Sequence, residues 1–356
     1  MKKIGRQVLF LEAGGENARN GEGSFLRLRD GRLLFGYTEY LTADGEDHAA
    51  ARLVCLTSED EGETWKDKQV IVPCPDDAKN VMSLSFLRMK NRDLGAFYLK
   101  IAYDETDEVC LVRSSDEGKT WSKPQVCNDF FPQRRYYVVC NDRAVRLPSG
   151  RILLPASVRM RNPAPGETLP GYNLKFLCSD DDGKTWRFTA NGVDYPFADR
   201  WGYAEPGLFL RDDGKLWCYT RSALGCQMEC FSDDEGETWS TPRANPFFSS
   251  PRSPMLVGRA GHLTAAIFNP VPLSVLTEQR RLWGRTPLVC AVSDDGGVTF
   301  EKDRIFCLED DPDEGFCYPA MTPVENGFLV AYYHSNGTGY CLNSLKMVKV
   351  SFDELK

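Results

Sequence analysis

Apolar residues fall into short runs along this chain, and the breaks between the runs recur in one form. In Leu28-Arg29-Asp30-Gly31-Arg32-Leu33-Leu34 two apolar segments flank a glycine turn. The same order returns in Leu147-Pro148-Ser149-Gly150-Arg151-Ile152-Leu153 and in Leu210-Arg211-Asp212-Asp213-Gly214-Lys215-Leu216. Weaker copies lie at 87–94, 257–263 and 323–329. Each reads as strand–turn–strand. Helical periodicity is hardly visible anywhere, and the last apolar segment, Lys346-Met347-Val348-Lys349-Val350, alternates as a strand does.

A second motif follows five of the six hairpins. Ser-x-Asp-x-Gly-x-Thr-Trp/Phe begins at Ser58, Ser114, Ser179, Ser232 and Ser293. Its aspartates, Asp60, Asp116, Asp181, Asp234 and Asp295, are 56, 65, 53 and 61 residues apart. One copy would be any tight turn, but five at near-even spacing are a repeat architecture, and periods of this size mark propeller blades. Aspartate accepts hydrogen bonds from turn N–H groups, and glycine takes a backbone conformation that costs other residues energy. Trp65, Trp121, Trp186, Trp239 and Phe300 each offer a large ring to bury between units. The acidic runs therefore read as solvated scaffold turns, not metal loops.

Six hairpins predict an all-β fold, a six-bladed β-propeller with these boxes as hairpin turns. The expected blades span roughly 18–70, 80–126, 136–196, 201–246 and 250–306. The sixth begins near Phe316 and is completed by the N-terminal strand Gln7-Val8-Leu9-Phe10-Leu11, so residues 1–356 would form one propeller domain. Pairing the two ends in one blade closes the ring and removes exposed strand edges. A seven-bladed ring would need a seventh hairpin.

Composition narrows the picture further. Net charge is -8 with both signs interleaved, which argues against nucleic-acid and anionic-membrane partners. The 13 cysteines are odd in number, and many (Cys55, Cys110, Cys178, Cys218, Cys290) sit in apolar runs as small hydrophobes. Cys226 and Cys230 are four apart, but three histidines in all argue against a zinc site. No apolar stretch has the length of a signal peptide or a membrane span. The expectation is a reduced, cytoplasmic protein.

In a propeller the first strand of each blade lines the channel, and the segments entering those strands rim one face. That geometry selects Glu22, Asn80, the run Arg134-Arg135-Tyr136-Tyr137-Val138-Val139-Cys140-Asn141-Asp142-Arg143, then Tyr203 and Glu205, Arg252, and Tyr318. Tyr137, Asp142, Arg143 and Arg252 become substrate-binding candidates alongside Glu22. Charged groups converging on an axis are costly unless they bind something, which favours a polar ligand. His262 and His334 read as structural.

The boxes resemble the Asp-box of the sialidase (neuraminidase) superfamily, and the resemblance extends over essentially the whole chain. It implies a retaining exo-glycosidase that removes a terminal sialic acid or related acidic sugar from a glycan or small glycoside, with no metal and no cofactor. In that family a glutamate precedes the blade-4 hairpin and an arginine follows it, matching Glu205 and Arg221. An arginine shortly before the fifth box matches Arg285 in Trp283-Gly284-Arg285, and the nucleophilic tyrosine entering blade 6 matches Tyr318. The acid/base aspartate falls in Asp44-Gly45-Glu46-Asp47-His48, with Asp47 preferred and Asp44 in reserve. His48 would be a proton relay or a loop residue.

The residue types suit that chemistry. A tyrosine of pKa ~10 is a poor nucleophile at neutral pH. A carboxylate in hydrogen-bond reach takes its proton as it attacks, and a second carboxyl protonates the leaving oxygen. Paired guanidiniums would hold a carboxylate on the sugar.

One departure stands out. The family carries Arg-Ile-Pro entering blade 1, where this chain has Asn20-Gly21-Glu22-Gly23-Ser24, with Arg19 out of register. Arg143 or Arg252 would then have to complete the arginine set. Otherwise the substrate is a different sugar, with Glu22 or Asp142 as a catalytic carboxylate, or the propeller binds carbohydrate without catalysis.

Overall fold

The hairpins read from the sequence assemble into six antiparallel sheets arranged as a β-propeller in a computed structural model. It describes residues 1–356 apart from 105, 133–135, 160–169, 198, 273–283 and 336–341. Blade 1 runs outward through Asn20–Arg27, Leu33–Tyr40, Ala51–Ser58 and Lys66–Val72. The innermost strands of blades 2, 4 and 5 are Ala78–Arg88, Ala204–Leu210 and Leu256–Ala260. Blade 6 is Phe316–Val324, Gly327–His334, Ser344–Ser351 and, outermost, Arg6–Leu11, with Arg6 opposite Lys349 and Leu11 opposite Leu345. The N-terminal strand thus closes the ring as expected. No helix among the described residues is long and apolar enough to cross a membrane.

The apolar pattern follows from packing on both faces. All eight residues of Leu33–Tyr40 are buried, as are all of Ile152–Val158 and Leu263–Phe268. Middle strands touch a neighbouring blade on each side, so they read as continuous apolar runs instead of alternating. The outer strand Lys66–Val72 is exposed along most of its length. Among the described residues the interior is accordingly six wedges, one per blade junction, with a small further cluster of Cys317, Tyr333 and Leu342. Val81, Leu84 and Tyr98 of blade 2 meet Leu34 and Leu53 of blade 1, and Ile267 and Cys290 of blade 5 meet Phe328 and Val348 of blade 6.

All five boxes fold alike. In the fourth, Ser232 Oγ accepts Gly236 N–H and donates to Asp234, whose carboxylate takes Thr238 N–H at 2.9 Å and Thr238 Oγ1 at 2.6 Å. These donors hold the box carboxylates below their ordinary range despite the opposing effect of burial, to about 2 at Asp60 and Asp295. The residue after each aspartate is left-handed: Glu61, Glu117, Asp182, Glu235 and Gly296. Several of these side chains do more than face water. Glu61 pairs with Arg27 and accepts Glu325 N–H, and Asp182 caps Lys90 N–H, so each latches its turn to a neighbouring hairpin.

Blade 3 departs from the pattern. Its innermost strand is broken into Tyr137–Val138 and Val145–Arg146, and the segment between crosses the axis. Asn141 Nδ2 donates to Gly23 O in blade 1 (2.8 Å) and Pro319 O in blade 6 (3.4 Å). Asp142 N–H donates to Leu84 O in blade 2, and its carboxylate accepts Ser24 Oγ and Met321 N–H. Arg143 donates to Met255 O in blade 5 and lies 5.7 Å from the ring of Tyr219 in blade 4. Three consecutive residues therefore touch every other blade.

Candidate active site

A repeated backbone device aims side chains at the axis. Each hairpin has its own left-handed residue: Gly31, Arg92, Gly150, Gly214, Gly261 and Asn326. Counting back nine residues from four of these gives Glu22, Ser83, Glu205 and Arg252, and counting back eight in blades 3 and 6 gives Asp142 and Tyr318. All six have φ between 49° and 63°. A side chain other than glycine pays about 1–2 kcal/mol for that conformation, and such strain persists where the surrounding structure imposes it. Register shifts occur at the same places, between Gly21 and Ser24, Met82 and Ser85, Ala204 and Gly207, and Cys317 and Ala320. Each bulge turns the residue it displaces from the blade face toward the channel.

Glu22, Ser83, Glu205 and Tyr318 line a cavity of about 470 Å³ at this end of the channel. Tyr136, also left-handed, supplies the blade-3 wall. Asp47 and His48 reach it from the loop between the second and third strands of blade 1. Met82, Leu99, Ile101, Val138 and Val139 form an apolar side. At the far end Arg159 lies between the rings of Tyr172 (3.9 Å) and Tyr136 (4.8 Å). It spends its N–H groups on Pro170 O, Arg200 O and Tyr172 Oη, which makes it a strut for the two rings.

Three residues from blades 4 and 6 form the polar centre. Tyr318 Oη donates to Glu205 Oε1 at 2.5 Å. Arg221 Nη1 donates to Glu205 Oε2 at 2.5 Å and lies 3.4 Å from Tyr318 Oη. Burial and the Glu205 carboxylate raise the Tyr318 phenol well above its ordinary value, against the pull of Arg221 and Arg285. The phenol is neutral, and its proton already sits on the path to a carboxylate. Arg285 stands 5.4 Å from the Tyr318 ring and donates to Cys317 Sγ at 3.1 Å.

The sequence reading missed Arg19. It is fully buried between Tyr40 and Tyr333, donates to Tyr333 Oη, and binds Asp47 at 2.5 Å and Glu22 at 2.8 Å. Asp47 is 64% exposed, so solvent reaches it. The protein around the carboxyl removes part of its hydration and opposes ionisation, but the Arg19 charge and hydrogen bond outweigh this and hold it below the usual range. Glu22 goes the other way: burial raises it more than Arg19 and the Ser83 hydroxyl lower it. Asp44 turns its carboxylate onto Glu46 N–H at 2.9 Å, which leaves Asp47 as the aspartate of this loop that faces the cavity.

Three expected binding residues lie elsewhere. Tyr137 is packed in the blade 2–3 core, because successive side chains alternate in direction and its neighbour Tyr136 takes the cavity side. Arg143 is buried in the axial crossing. Asp142 lines a second cavity, of about 640 Å³, at the hairpin end of the channel. Tyr203 belongs to the core and Asn80 donates to Ala49 O. Arg134, Arg135 and Trp283 lie outside the described residues.

Burial pushes the Asp142 carboxyl up to about 6, against the hydrogen bonds of Ser24 and Met321. The folded protein binds this proton more tightly than the unfolded chain, so the stability it confers is full below about pH 4 and is lost as pH rises through 6. The difference between an ordinary aspartate and this one corresponds to about 3 kcal/mol. Asp142→Asn cannot titrate. Its stability relative to the wild type is expected to rise by about that amount between pH 4 and 7 in paired urea melts. A pH-independent difference would refute the assignment.

The profile of the family described as BNR repeat-like domain matches residues 40–331. An anhydrosialidase of Macrobdella decora is 29% identical over 140 residues, 38% of this chain and 16% of its own length. A sialidase of Bacteroides fragilis is 20% identical over 253 residues, 68% of this chain and 42% of its own. The chain thus spans less than half the length of either curated relative in these alignments. Among solved structures, the intramolecular trans-sialidase of Ruminococcus gnavus, in complex with oseltamivir carboxylate, superposes with a TM-score of 0.75 at 14% identity, covering 98% of each chain. A protein of unknown function from Dyadobacter fermentans superposes at 0.73 with 17% identity, covering 97% of this chain and 99% of its own.

Proposed function

From the premise that the chain belongs to the BNR repeat-like domain family of the sialidase superfamily, we propose that it is a retaining exo-glycosidase for a terminal acidic sugar. The observation that carries this reading is the hydrogen bond of 2.5 Å from Tyr318 to Glu205, with Arg221 against both groups. In the first step Tyr318 Oη attacks the anomeric carbon and passes its proton to Glu205, while the bond to the leaving oxygen breaks and that oxygen takes a proton from Asp47. In the second step Asp47 takes a proton from water, the water oxygen bonds to the anomeric carbon, and the phenolate leaves and recovers its proton from Glu205. A neutral nucleophile avoids repulsion by an acidic group on the sugar, which Arg221 and Arg285 would hold.

Because Arg19 keeps Asp47 ionised, the protonated form needed for the first step is scarce at neutral pH. Release from a fluorogenic α-sialoside is expected, with kcat/KM rising as pH falls from about 7 toward 5 and the product retaining its anomeric configuration in a proton NMR time course. An inert α-sialoside would exclude sialic acid as the substrate.

A second reading rests on Glu22, a carboxyl at the blade-1 position where the superfamily pattern has an arginine. On that reading Glu22 binds hydroxyls of a different sugar. It requires turnover of a neutral or uronic aryl glycoside that survives Tyr318→Phe.

A further inference from the structure

At the blade-1 wall of the cavity one guanidinium holds two carboxylates. Arg19 Nη2 donates to Glu22 Oε1 at 2.8 Å, and Arg19 Nη1 donates to Asp47 Oδ1 at 2.5 Å. Its Nε goes to Tyr333 Oη, Nη1 also reaches Gly45 O, and the rings of Tyr40 and Tyr333 enclose it. Arg19 and Glu22 are buried, so solvent does little to screen the charge between them. Glu22 Oε2 accepts Ser83 Oγ at 2.7 Å, which fixes the carboxyl in this place.

Arg19 carries one positive charge, so two ionised carboxylates compete for it. Each loses part of the stabilisation that the other receives. Burial raises the Glu22 carboxyl, the charge of Asp47 adds to the rise, and Arg19 and Ser83 oppose it. The other charged groups that face the pair are Glu205 on the side of Glu22, and His48 and Arg285 on the side of Asp47. Among the described residues, Arg19 alone bonds both carboxylates.

We infer that Glu22 is a positioning residue for the proton transfer: by sharing Arg19 it leaves Asp47 able to carry a proton at neutral pH. This rests on the reading of Asp47 as the acid of the first step. It gives a role to the carboxyl that stands in blade 1 where the superfamily pattern has an arginine. While Glu22 is ionised, Asp47 meets a guanidinium that is already shared. Its protonated form is then more abundant than an undivided Arg19 would permit. As pH falls Glu22 takes up its proton first, because its surroundings raise its carboxyl and those of Asp47 lower the other. Arg19 is then left to Asp47, and the advantage disappears.

The test compares kcat/KM of wild type, Glu22→Gln and Glu22→Asp on two substrates. One is an alkyl α-sialoside, whose leaving oxygen needs the proton; the other is the fluorogenic α-sialoside, whose phenolate leaves more readily. Glutamine keeps the shape of the side chain and an oxygen for Arg19. At about pH 7 Glu22→Gln is expected to lose about tenfold on the alkyl substrate and less on the aryl one. Glu22→Asp, which keeps the charge, should recover part of that loss. By about pH 4, where Glu22 of the wild type is protonated, the profiles of wild type and Glu22→Gln should converge. A loss of equal size at both pH values and on both substrates makes Glu22 a contact for the sugar and overturns the inference.

A measurement without substrate separates the two levels. Coupling is reciprocal, so Asp47→Asn should weaken proton binding at Glu22 by the same factor of about ten, read from the Glu22 carboxyl resonance in carbon NMR. A Glu22 titration that Asp47→Asn leaves in place overturns this inference alone. A wild type inert toward both sialosides overturns the acidic-sugar reading, and this inference with it.

Discussion

Replacing Tyr318 by phenylalanine is expected to lower turnover of an acidic glycoside by about a thousandfold or more while leaving the thermal midpoint within about a degree. The substitution removes one oxygen. The ring keeps its edge-on contact with Tyr333 at 5.8 Å and its place beside Arg285, and Glu205 keeps Arg221 as a partner. What is lost is the atom that would bond to the sugar. Glu205→Gln should lose a comparable factor for a different reason, since an amide cannot take the phenol's proton and the high Tyr318 pKa then keeps the nucleophile neutral. The two losses should not add, because both break the same proton transfer. Activity that survives Tyr318→Phe would move the chemistry to Glu22 and Glu205, which line the same cavity.

The largest stability effect is expected at a residue with no part in that chemistry. Asn141→Ala should cost about 3 kcal/mol and lower the midpoint by roughly 5 °C or more, while turnover per folded molecule is kept. The side chain is wholly buried, and its amide serves the carbonyls of Gly23 and Pro319 in two other blades. Alanine leaves those carbonyls without that donor in a site closed to water, and each buried, unsatisfied group costs about 1–3 kcal/mol. Asn141→Asp should be worse, because a carboxylate would face two carbonyl oxygens. A melt of Asn141→Ala that overlays the wild type would show that the axial crossing is ornament, and that the six junction cores hold the ring unaided.

Both predictions depend on features that differ in how far the sequence revealed them. Glu205, Tyr318 and Arg221 stand at positions that the family resemblance implies, and they meet across as many as 113 residues. Arg19 lies out of register with the family's pattern, yet it anchors Asp47. A signal for the site-facing residues was nonetheless present. The eight- or nine-residue interval back from the hairpin's left-handed turn marks Glu22 and Ser83 as clearly as it marks Glu205 and Tyr318.

The sequence by itself determined the repeat: six hairpins, five boxes, blade limits within eight residues, and a terminal strand that pairs in the last blade. Those features are written in turn chemistry and apolar runs confined to about sixty residues at a time, where local rules hold. Only the tertiary structure decided which side chains meet at the axis. A bulge in the inner strands of blades 1, 2, 4 and 6 interrupts the alternation on which any facing assignment depends. In blade 3 the alternation itself sends Tyr136 to the cavity and Tyr137 to the core. The roles of Asn141, Asp142 and Arg143 are set by partners 58 to 179 residues away, in the five other blades. Contacts at that separation leave no periodic trace in the chain, because they exist only once the ring has closed.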